Sequence, residues 1–220
     1  VDQNNPQLVN LGTDRTAVSV SSGRLHTCAV LDDGSLKCMG QGSNGQLGIG
    51  STTNQNTPQL VNLGTGRTAV SVSAGFYHTC AVLDDGSLKC WGYNAQGQLG
   101  IGSNTDQNTP QLVNLGVGRT AVSVSAGYYH TCAILDDDSL KCWGNNGNGQ
   151  LGIGSTAQQT TPQTVNLGTG RTAVSVSLGE QHTCAILDDD SLKCWGDNNY
   201  GQLGIGSNTD QNTPQLVNLG

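Results

Sequence analysis

Apolar and polar residues alternate along this chain in short runs that are separated by turn residues. AVSVSAG (69–75), HTCAVL (78–83) and SLKCWG (87–92) each have the length and pattern of a β-strand, and PQLVNL (110–115) predicts a fourth strand that opens with a proline. DDG between the second and third runs is typical of a hairpin turn. The pattern therefore predicts four antiparallel strands, with a long Gly-rich loop before the last one.

The same pattern returns every 52 residues, as the positions of Pro6, Pro58, Pro110, Pro162 and Pro214 show. A period near 50 with four strands per unit is typical of all-β propeller blades. We divide the chain into a partial repeat, which is expected to be the fourth strand of a preceding blade, and four full repeats: 1–12, 13–64, 65–116, 117–168 and 169–220. Because residues 1–12 restate residues 209–220, we expect the chain to be part of a longer array or ring.

Each repeat carries one long motif: a glycine, two variable residues, HT, an apolar run, an acidic turn, WG and N-x-x-GQLG-x-G. The first repeat departs from it at two positions, with Met39 for the tryptophan and Gly42 for the asparagine. The second repeat shows it most fully, at Gly75, His78, Thr79, Trp91, Gly92, Asn94, Gly97, Gln98, Leu99, Gly100 and Gly102. This motif resembles the regulator of chromosome condensation repeat, and the resemblance covers all four repeats. It implies a β-propeller, usually with seven blades in a ring.

The eight cysteines form one pair in each repeat, placed symmetrically about the hairpin turn. Cysteines that face each other across two antiparallel strands lie within reach of a disulfide. We therefore expect four disulfides, Cys28–Cys38, Cys80–Cys90, Cys132–Cys142 and Cys184–Cys194. Buried free thiols are one alternative, and a zinc site with His26, Cys28 and Cys38 as ligands is another. Disulfides predict an extracellular protein, either secreted or at the cell surface.

The charge of the chain argues against a nucleic-acid partner, and its short apolar runs argue against a membrane span. Nine Lys and Arg against sixteen Asp and Glu give a net charge of −7, which leaves no basic stripe for nucleic acid. No apolar run approaches the ~20 residues of a membrane span. Asparagine glycosylation lacks an acceptor sequence, so any glycan is expected to be O-linked, on threonines that precede prolines.

No constellation of residues points to catalysis, and we expect neither enzyme activity nor a cofactor. Glu180 is the only glutamate and has no counterpart in the other repeats. The paired aspartates of the hairpin turns could act as catalytic acids or calcium ligands. Turn formation explains them better, together with pairing to an arginine that recurs in every repeat, Arg15, Arg67, Arg119 and Arg171.

The repeats differ from one another mainly at two sites, the pair before HT and the residues after WG. These sites contain every tyrosine and the only phenylalanine. Tyrosines on a rigid β scaffold suit protein binding, whereas neutral drift in exposed loops is the alternative. The predicted partner-binding residues are Arg24, Leu25, Phe76, Tyr77, Tyr93, Tyr128, Tyr129, Glu180, Gln181 and Tyr200.

Our leading hypothesis is a non-catalytic extracellular structural or adhesive protein that associates head to tail through its end blades into a filament. The family resemblance implies two alternatives, a protein-binding module akin to secreted inhibitors and an intracellular exchange-factor-like scaffold. No repeat has the insertion that would form an exchange factor's wedge. Photoreceptors of the family carry chromophore tryptophans in a GWRHT motif that is absent here, so Trp91, Trp143 and Trp195 are expected to serve blade packing.

Overall fold

The computed structural model describes residues 4–220, which form sixteen β-strands joined by turns and loops. Four antiparallel sheets, here called blades 1 to 4, each pair their strands in chain order. Blades 1 and 2 consist of β1 (Ala17–Ser22), β2 (His26–Leu31), β3 (Leu36–Gly40), β4 (Gln55–Leu60), β5 (Ala69–Ala74), β6 (His78–Leu83), β7 (Leu88–Gly92) and β8 (Gln107–Leu112). Blades 3 and 4 consist of β9 (Ala121–Ala126), β10 (His130–Leu135), β11 (Leu140–Gly144), β12 (Gln159–Thr164), β13 (Ala173–Leu178), β14 (His182–Leu187), β15 (Leu192–Gly196) and β16 (Gln211–Leu216). The predicted all-β fold of tandem four-stranded blades is confirmed.

The four strands of each blade lie within one of the four predicted full repeats. Residues 4–12 contain no strand, and the described residues include no third strand of a preceding blade with which they could pair. The assignment of residues 1–12 to a preceding blade stays a prediction, and residues 1–3 lie outside the described part of the chain. The longer array or ring also stays a prediction.

The fourth strand begins three residues earlier than the sequence pattern predicts. In blade 2 the pattern predicts residues 110–115, whereas β8 is Gln107–Leu112. Pro110, which has no N–H, lies at an irregular part of the β7–β8 ladder, where a ladder hydrogen bond is not required. Val113 and Leu115 lie beyond the strand and enter the core between blades 2 and 3. The apolar run therefore marks burial between blades, not strand pairing.

The hairpin turn between the second and third strands places the two cysteines of a blade opposite each other. In blade 1 the chain turns over Asp32–Gly34, and the Leu31 N–H donates to the Ser35 carbonyl at 2.8 Å. The last residue of this turn has a φ of 74°, the left-handed conformation that closes a three-residue hairpin loop. Cys28 and Cys38 are direct partners across the β2–β3 ladder, and their disulfide spans a Cα–Cα distance of 4.1 Å.

The other three blades contain the same disulfide, Cys80–Cys90, Cys132–Cys142 and Cys184–Cys194. All eight cysteines are therefore paired, and no sulfur is left for the free-thiol or zinc alternatives. In blades 3 and 4 the left-handed turn position is occupied by Asp138 and Asp190 instead of glycine. Aspartate is one of the few other residues that tolerate this conformation.

The acidic turns have a structural role, as the sequence predicts. The two Nη atoms of Arg67 lie 3.4 Å from Asp84 and 3.0 Å from Asp85. Hydrogen bonds from the side chain and backbone of Ser87 lower the pKa of Asp85. The equivalent arginines make the same pairs in the other three blades. Because these groups are exposed, each pair contributes little to stability.

The hydrophobic core consists of three layers, each of which lies between two neighbouring blades. In the first layer Leu36 and Leu47 of blade 1 pack with Trp91 of blade 2. Trp91, Trp143 and Trp195 are fully buried, which confirms their predicted role in blade packing. Since most of the apolar surface is buried between blades, each blade depends on its neighbour for stability.

One backbone carbonyl joins each pair of neighbouring blades. The carbonyl oxygen of Gln46, in the GQLG segment of blade 1, accepts the Thr79 hydroxyl at 2.8 Å and the Trp91 indole N–H at 3.0 Å, both from blade 2. Thr79 gives its only hydroxyl proton to Gln46, so its oxygen accepts from Nε2 of His26 at 2.9 Å. His26 therefore carries a proton on Nε2, and because burial lowers the pKa of His26 to about 4, the imidazole is neutral at neutral pH. We call this set of four groups the blade junction.

The blade junction recurs at the next two interfaces, with Gln98, Thr131, Trp143 and His78, and with Gln150, Thr183, Trp195 and His130. Glycine is required beside the indole, because a Cβ on Gly48 would lie 2.6 Å from Nε1 of Trp91. HT and GQLG occur in every repeat and WG in the last three, where Met39 of the first repeat is replaced by tryptophan, because these segments supply the contacting groups of one interface.

The contribution of a disulfide can be measured in blade 2. Replacing Cys80→Ala together with Cys90→Ala should lower the free energy of unfolding by about 2–3 kcal/mol, since the unfolded chain regains the entropy of an open loop. Urea denaturation followed by tryptophan fluorescence measures the change. The reduced parent chain is the control and should lose more stability than the variant. A variant with the parent's urea midpoint would contradict this prediction.

Acid should weaken the packing of the blades through the buried histidines. Burial lowers the pKa of His78 and of His130 from 6.5 to about 3, so both stay neutral in the folded chain under conditions that protonate them in the unfolded chain. Between pH 6.5 and about pH 3, the unfolded chain therefore binds more protons than the folded chain. The free energy of unfolding should therefore fall as the pH falls through this window, by up to about 1.4 kcal/mol per pH unit for each such histidine.

The variant His78→Gln isolates one of these histidines. Its amide can still donate to Thr131 but does not titrate, so urea denaturation at a series of pH values should give a shallower pH dependence. His182→Gln is the matched control, because His182 is only half-buried and has no threonine partner within residues 4–220. Identical pH profiles for the parent and His78→Gln would show that the buried imidazole does not set the acid sensitivity.

Candidate protein-binding face

The first variable site is a two-residue loop whose ends are fixed. In blade 2 the Gly75 N–H donates to the His78 carbonyl at 2.9 Å, which leaves Phe76 and Tyr77 as the loop between them. A Cβ on Gly75 would lie 2.5 Å from both Cε1 of His78 and the carbonyl oxygen of Gly127. Only glycine leaves room there for the imidazole that reaches the next blade. The blade junction therefore holds the variable pair in the same place in blades 1 to 3, and in blade 4 the Gly179 N–H donates to the His182 carbonyl at 2.9 Å in the same way.

The second variable site lies directly beside the first. The N–H of Tyr93, just after β7, donates to the carbonyl of Tyr77 at 2.9 Å. The same hydrogen bond links Gln41 to Leu25, Asn145 to Tyr129 and Asp197 to Gln181 in the other blades. Both variable sites consequently lie at the end of each blade opposite the acidic turn.

Five aromatic side chains from blades 2 and 3 contact one another at this end, and we call them the aromatic cluster: Phe76, Tyr77, Tyr93, Tyr128 and Tyr129. Phe76 and Tyr128 are stacked, with ring centroids 3.6 Å apart. Each packs edge to face against the residue that follows it, at 4.5 Å for Tyr77 and 4.2 Å for Tyr129. The ring centroids of Tyr93 and Tyr129 are 5.6 Å apart, so the second variable site of blade 2 contacts the first variable site of blade 3.

Arg24 of blade 1 borders the aromatic cluster. Its guanidinium lies 4.3 Å from the centroid of Phe76, a cation–π contact, and its Nη1 donates to the hydroxyl of Tyr77. Residues 24, 76, 128 and 180 hold the same position in consecutive blades, so Arg24, Phe76 and Tyr128 form a continuous stack across three blades. Glu180 of blade 4 occupies the fourth position of this row.

Two depressions open at this end of the blades. The first, of about 380 Å³, is bordered by the ends of the first strands of all four blades and includes Arg24, Phe76, Tyr128 and Glu180 in its lining. The second, of about 310 Å³, we call the tyrosine pocket. It is lined by Tyr128, Tyr129, Asn145, Gln150, Glu180 and Gln181.

Eight of the ten predicted partner-binding residues thus lie in or beside the aromatic cluster: Arg24, Phe76, Tyr77, Tyr93, Tyr128, Tyr129, Glu180 and Gln181. Leu25 and Tyr200 are exposed, and neither borders the two depressions. Sequence reasoning missed Gln150, because this residue is constant across the repeats and the comparison considered only positions that vary. Its place in the GQLG segment, five residues after the second variable site begins, is the signal that could have located it.

Most groups of the face are neutral hydroxyls, amides and rings, and Arg24 and Glu180 are the charged side chains that line its two depressions. Burial raises the pKa of Tyr129 to about 12, so its hydroxyl stays protonated and can donate a hydrogen bond. Within residues 4–220 no three His, Cys, Asp or Glu side chains are grouped as metal ligands. The described residues also include no helix that could span a membrane. The arrangement is suited to contact with another molecule.

Comparison with known proteins places the chain among propellers. Residues 1–219 match the RCC1-like domain family. The ultraviolet-B receptor UVR8 of Arabidopsis thaliana is 35% identical over 198 residues, an alignment that covers 90% of this chain and 45% of the receptor. The chain therefore spans less than half the length of this relative.

Solved structures agree with this assignment at the level of the fold. Human WBSCR16 superposes with a TM-score of 0.84 at 24% identity, covering 94% of this chain and 54% of that protein. Yeast RCC1 (Prp20), solved bound to Kap60, superposes with a TM-score of 0.85 at 21% identity, covering 98% and 52% of the respective chains. Since the match to the family covers residues 1–219 and the chain folds into four-stranded blades, this chain belongs to the RCC1-like domain family.

Proposed function

We propose that this chain is a protein-binding propeller module and that the aromatic cluster, with Arg24 and Glu180 at its borders, is the binding face. One observation carries the proposal: five of the six Phe and Tyr side chains contact one another on a single face. Tyrosine and phenylalanine bury large areas at little cost in side-chain entropy, which makes clusters of them suited to protein interfaces. Scattered drift in exposed loops would not be expected to bring these rings together.

The rigidity of the scaffold supports the same proposal. The variable residues are held between fixed glycines and buried histidines, so they can contact a partner without first becoming ordered. The yeast relative was solved in complex with another protein, Kap60. No described group of residues suggests a reaction, so we propose a binding role and not a catalytic one.

We further propose that the protein is extracellular, secreted or at the cell surface. The support is the four disulfides, which form and persist in oxidising compartments. The threonines before prolines on the fourth strands, Thr57, Thr109, Thr161 and Thr213, are exposed and would be accessible to O-linked glycans.

A second candidate function, association of copies through the end blades, has an observation of its own. Ile186 of blade 4 is 45% exposed, whereas its counterpart Ile134 is 3% exposed beneath the next blade. His182 on the same face has no threonine partner within residues 4–220, and Thr27 on the opposite face of blade 1 is more exposed than its buried counterparts. The open face of blade 4 carries a GQLG segment and His182, and the open face of blade 1 carries Thr27 with Met39 at the tryptophan position. The two faces can therefore form the threonine contacts of a blade junction without the indole, which supports head-to-tail assembly into a structural or adhesive filament.

Selection of phage-displayed random peptides against the native chain tests the binding face. Enriched peptides should bind Tyr128→Ala at least about ten-fold more weakly than the parent, because central aromatic residues dominate interface energies. Tyr200→Ala is the matched control, since this tyrosine is 92% exposed and lies outside the aromatic cluster. Surface plasmon resonance measures both. Peptides that bind both variants like the parent, or a selection without enrichment, would count against the proposed face.

Sedimentation velocity over a range of concentrations tests the second candidate. The parent chain should show mass above the 22.7 kDa monomer as concentration rises. Ile186→Lys should abolish this association by placing a charge on the open face of blade 4. Val117→Lys, in a fully exposed loop, is the control and should behave like the parent. A parent chain that stays monomeric throughout would refute association through the end blades.

A further inference from the structure

The tyrosine pocket combines aromatic rings with one unpaired negative charge. Tyr128 and Tyr129 line it, and Glu180 is the only charged side chain in its lining. Glu180 is exposed and makes neither an ion pair nor a side-chain hydrogen bond within residues 4–220. On the same blade, Asp197 follows β15 at the second variable site and adds a further negative charge at this end. The electrostatic character of the pocket is therefore anionic.

The neutral polar groups of the pocket already bind one another. Asn145 Oδ1 accepts from Gln150 Nε2 at 2.8 Å, and Gln181 Oε1 accepts from Asn148 Nδ2 at 2.6 Å. These hydrogen bonds fix the amide walls in place. The Glu180 carboxylate is left as the strongest hydrogen-bond acceptor in the lining without a partner of its own in the described chain.

Positions 24, 76, 128 and 180 are equivalent in the four blades, and the contacts of Arg24 show that a guanidinium fits between the side chains of two neighbouring blades at this position. The guanidinium of Arg24 in blade 1 stacks on Phe76 in blade 2 and donates to the hydroxyl of Tyr77. Between blades 3 and 4 the corresponding pair is Tyr128 and Glu180, which supplies a ring and a carboxylate but no cation. A guanidinium placed there would contact an aromatic ring, as Arg24 does, and would in addition meet an opposite charge.

We propose that the tyrosine pocket binds the side chain of an arginine presented by a partner protein. The guanidinium packs against the tyrosine rings and donates to the Glu180 carboxylate. A planar guanidinium suits this pocket better than an ammonium, because it can stack on a ring and form a forked hydrogen bond with a carboxylate at the same time. The cavity of about 310 Å³ lies at the lower end of the about 300–1,000 Å³ typical of ligand pockets. This inference rests on the proposed binding face and specifies the partner's chemistry.

The test uses a short blocked glycine peptide with one central arginine, and the same peptide with citrulline, which has the shape of arginine without its charge. NMR titration of the native chain should shift the ring resonances of Tyr128 and Tyr129 with the arginine peptide. Citrulline should weaken binding by about five-fold or more, and Glu180→Gln should weaken binding of the arginine peptide by a similar factor. Asp190→Asn is the matched control, because it removes the same charge from the acidic turn at the opposite end of blade 4 and should leave affinity unchanged.

Several outcomes would overturn the inference. They are equal affinity for both peptides, equal effects of Glu180→Gln and Asp190→Asn, or no shift of the two tyrosines with the arginine peptide. Tetramethylammonium chloride that binds the pocket as tightly as the arginine peptide would also overturn it, since the site would then accept a free small cation. If phage-selected peptides without arginine bind the aromatic cluster while the arginine peptide does not, this inference fails and the proposed binding face stands. If neither binds, both fail.

Discussion

The structure depends on a single acceptor at each interface, the backbone carbonyl of the glutamine in GQLG. The Gln46 carbonyl receives two donors from blade 2, and one of these donors, Thr79, also anchors His26. These groups are buried, so a lost partner would leave a polar atom without water or protein to bind, which costs about 1–3 kcal/mol. The hydrophobic layers supply most of the attraction between blades, whereas the blade junction fixes how one blade is seated on the next.

The face proposed for binding inherits its geometry from this interface. His78 contacts Thr131 of the next blade, and the absence of a side chain at Gly75 leaves room for the His78 ring. Phe76 and Tyr77, which lie between these two residues, are therefore placed by contacts that do not involve their own side chains. The sequence of the variable pair can change without loss of the fold, and this is how one repeat unit presents Arg-Leu, Phe-Tyr, Tyr-Tyr and Glu-Gln at four equivalent positions.

Much of the fold could be predicted from the sequence, because its determinants are local and repeat four times. The symmetry of Cys28 and Cys38 about a turn is enough to place them opposite each other, and the structure pairs them. The fourth strand was predicted three residues too late, because Val113 and Leu115 are apolar for packing between blades and not for strand pairing. The residues of the candidate face were selected by their variation, but their assembly into one cluster depends on contacts between residues 52 apart, such as Phe76 and Tyr128. Sequence spacing alone does not give the distance between side chains on different blades.

The blade junction also makes the array directional. Threonine and tryptophan always reach back to the carbonyl of the blade before, and histidine always reaches forward to the blade after. Two copies that met through the same end would lack either the threonine or the carbonyl and histidine that it contacts, so only a union of unlike ends can reproduce this contact. Duplication or deletion of one whole 52-residue unit from among blades 2 to 4 would preserve the junction contacts at the remaining interfaces, whereas a change of length within the HT, WG or GQLG segments would separate a carbonyl from its donors. Such an array can therefore gain or lose whole blades without the loss of the junction contacts on which its packing depends.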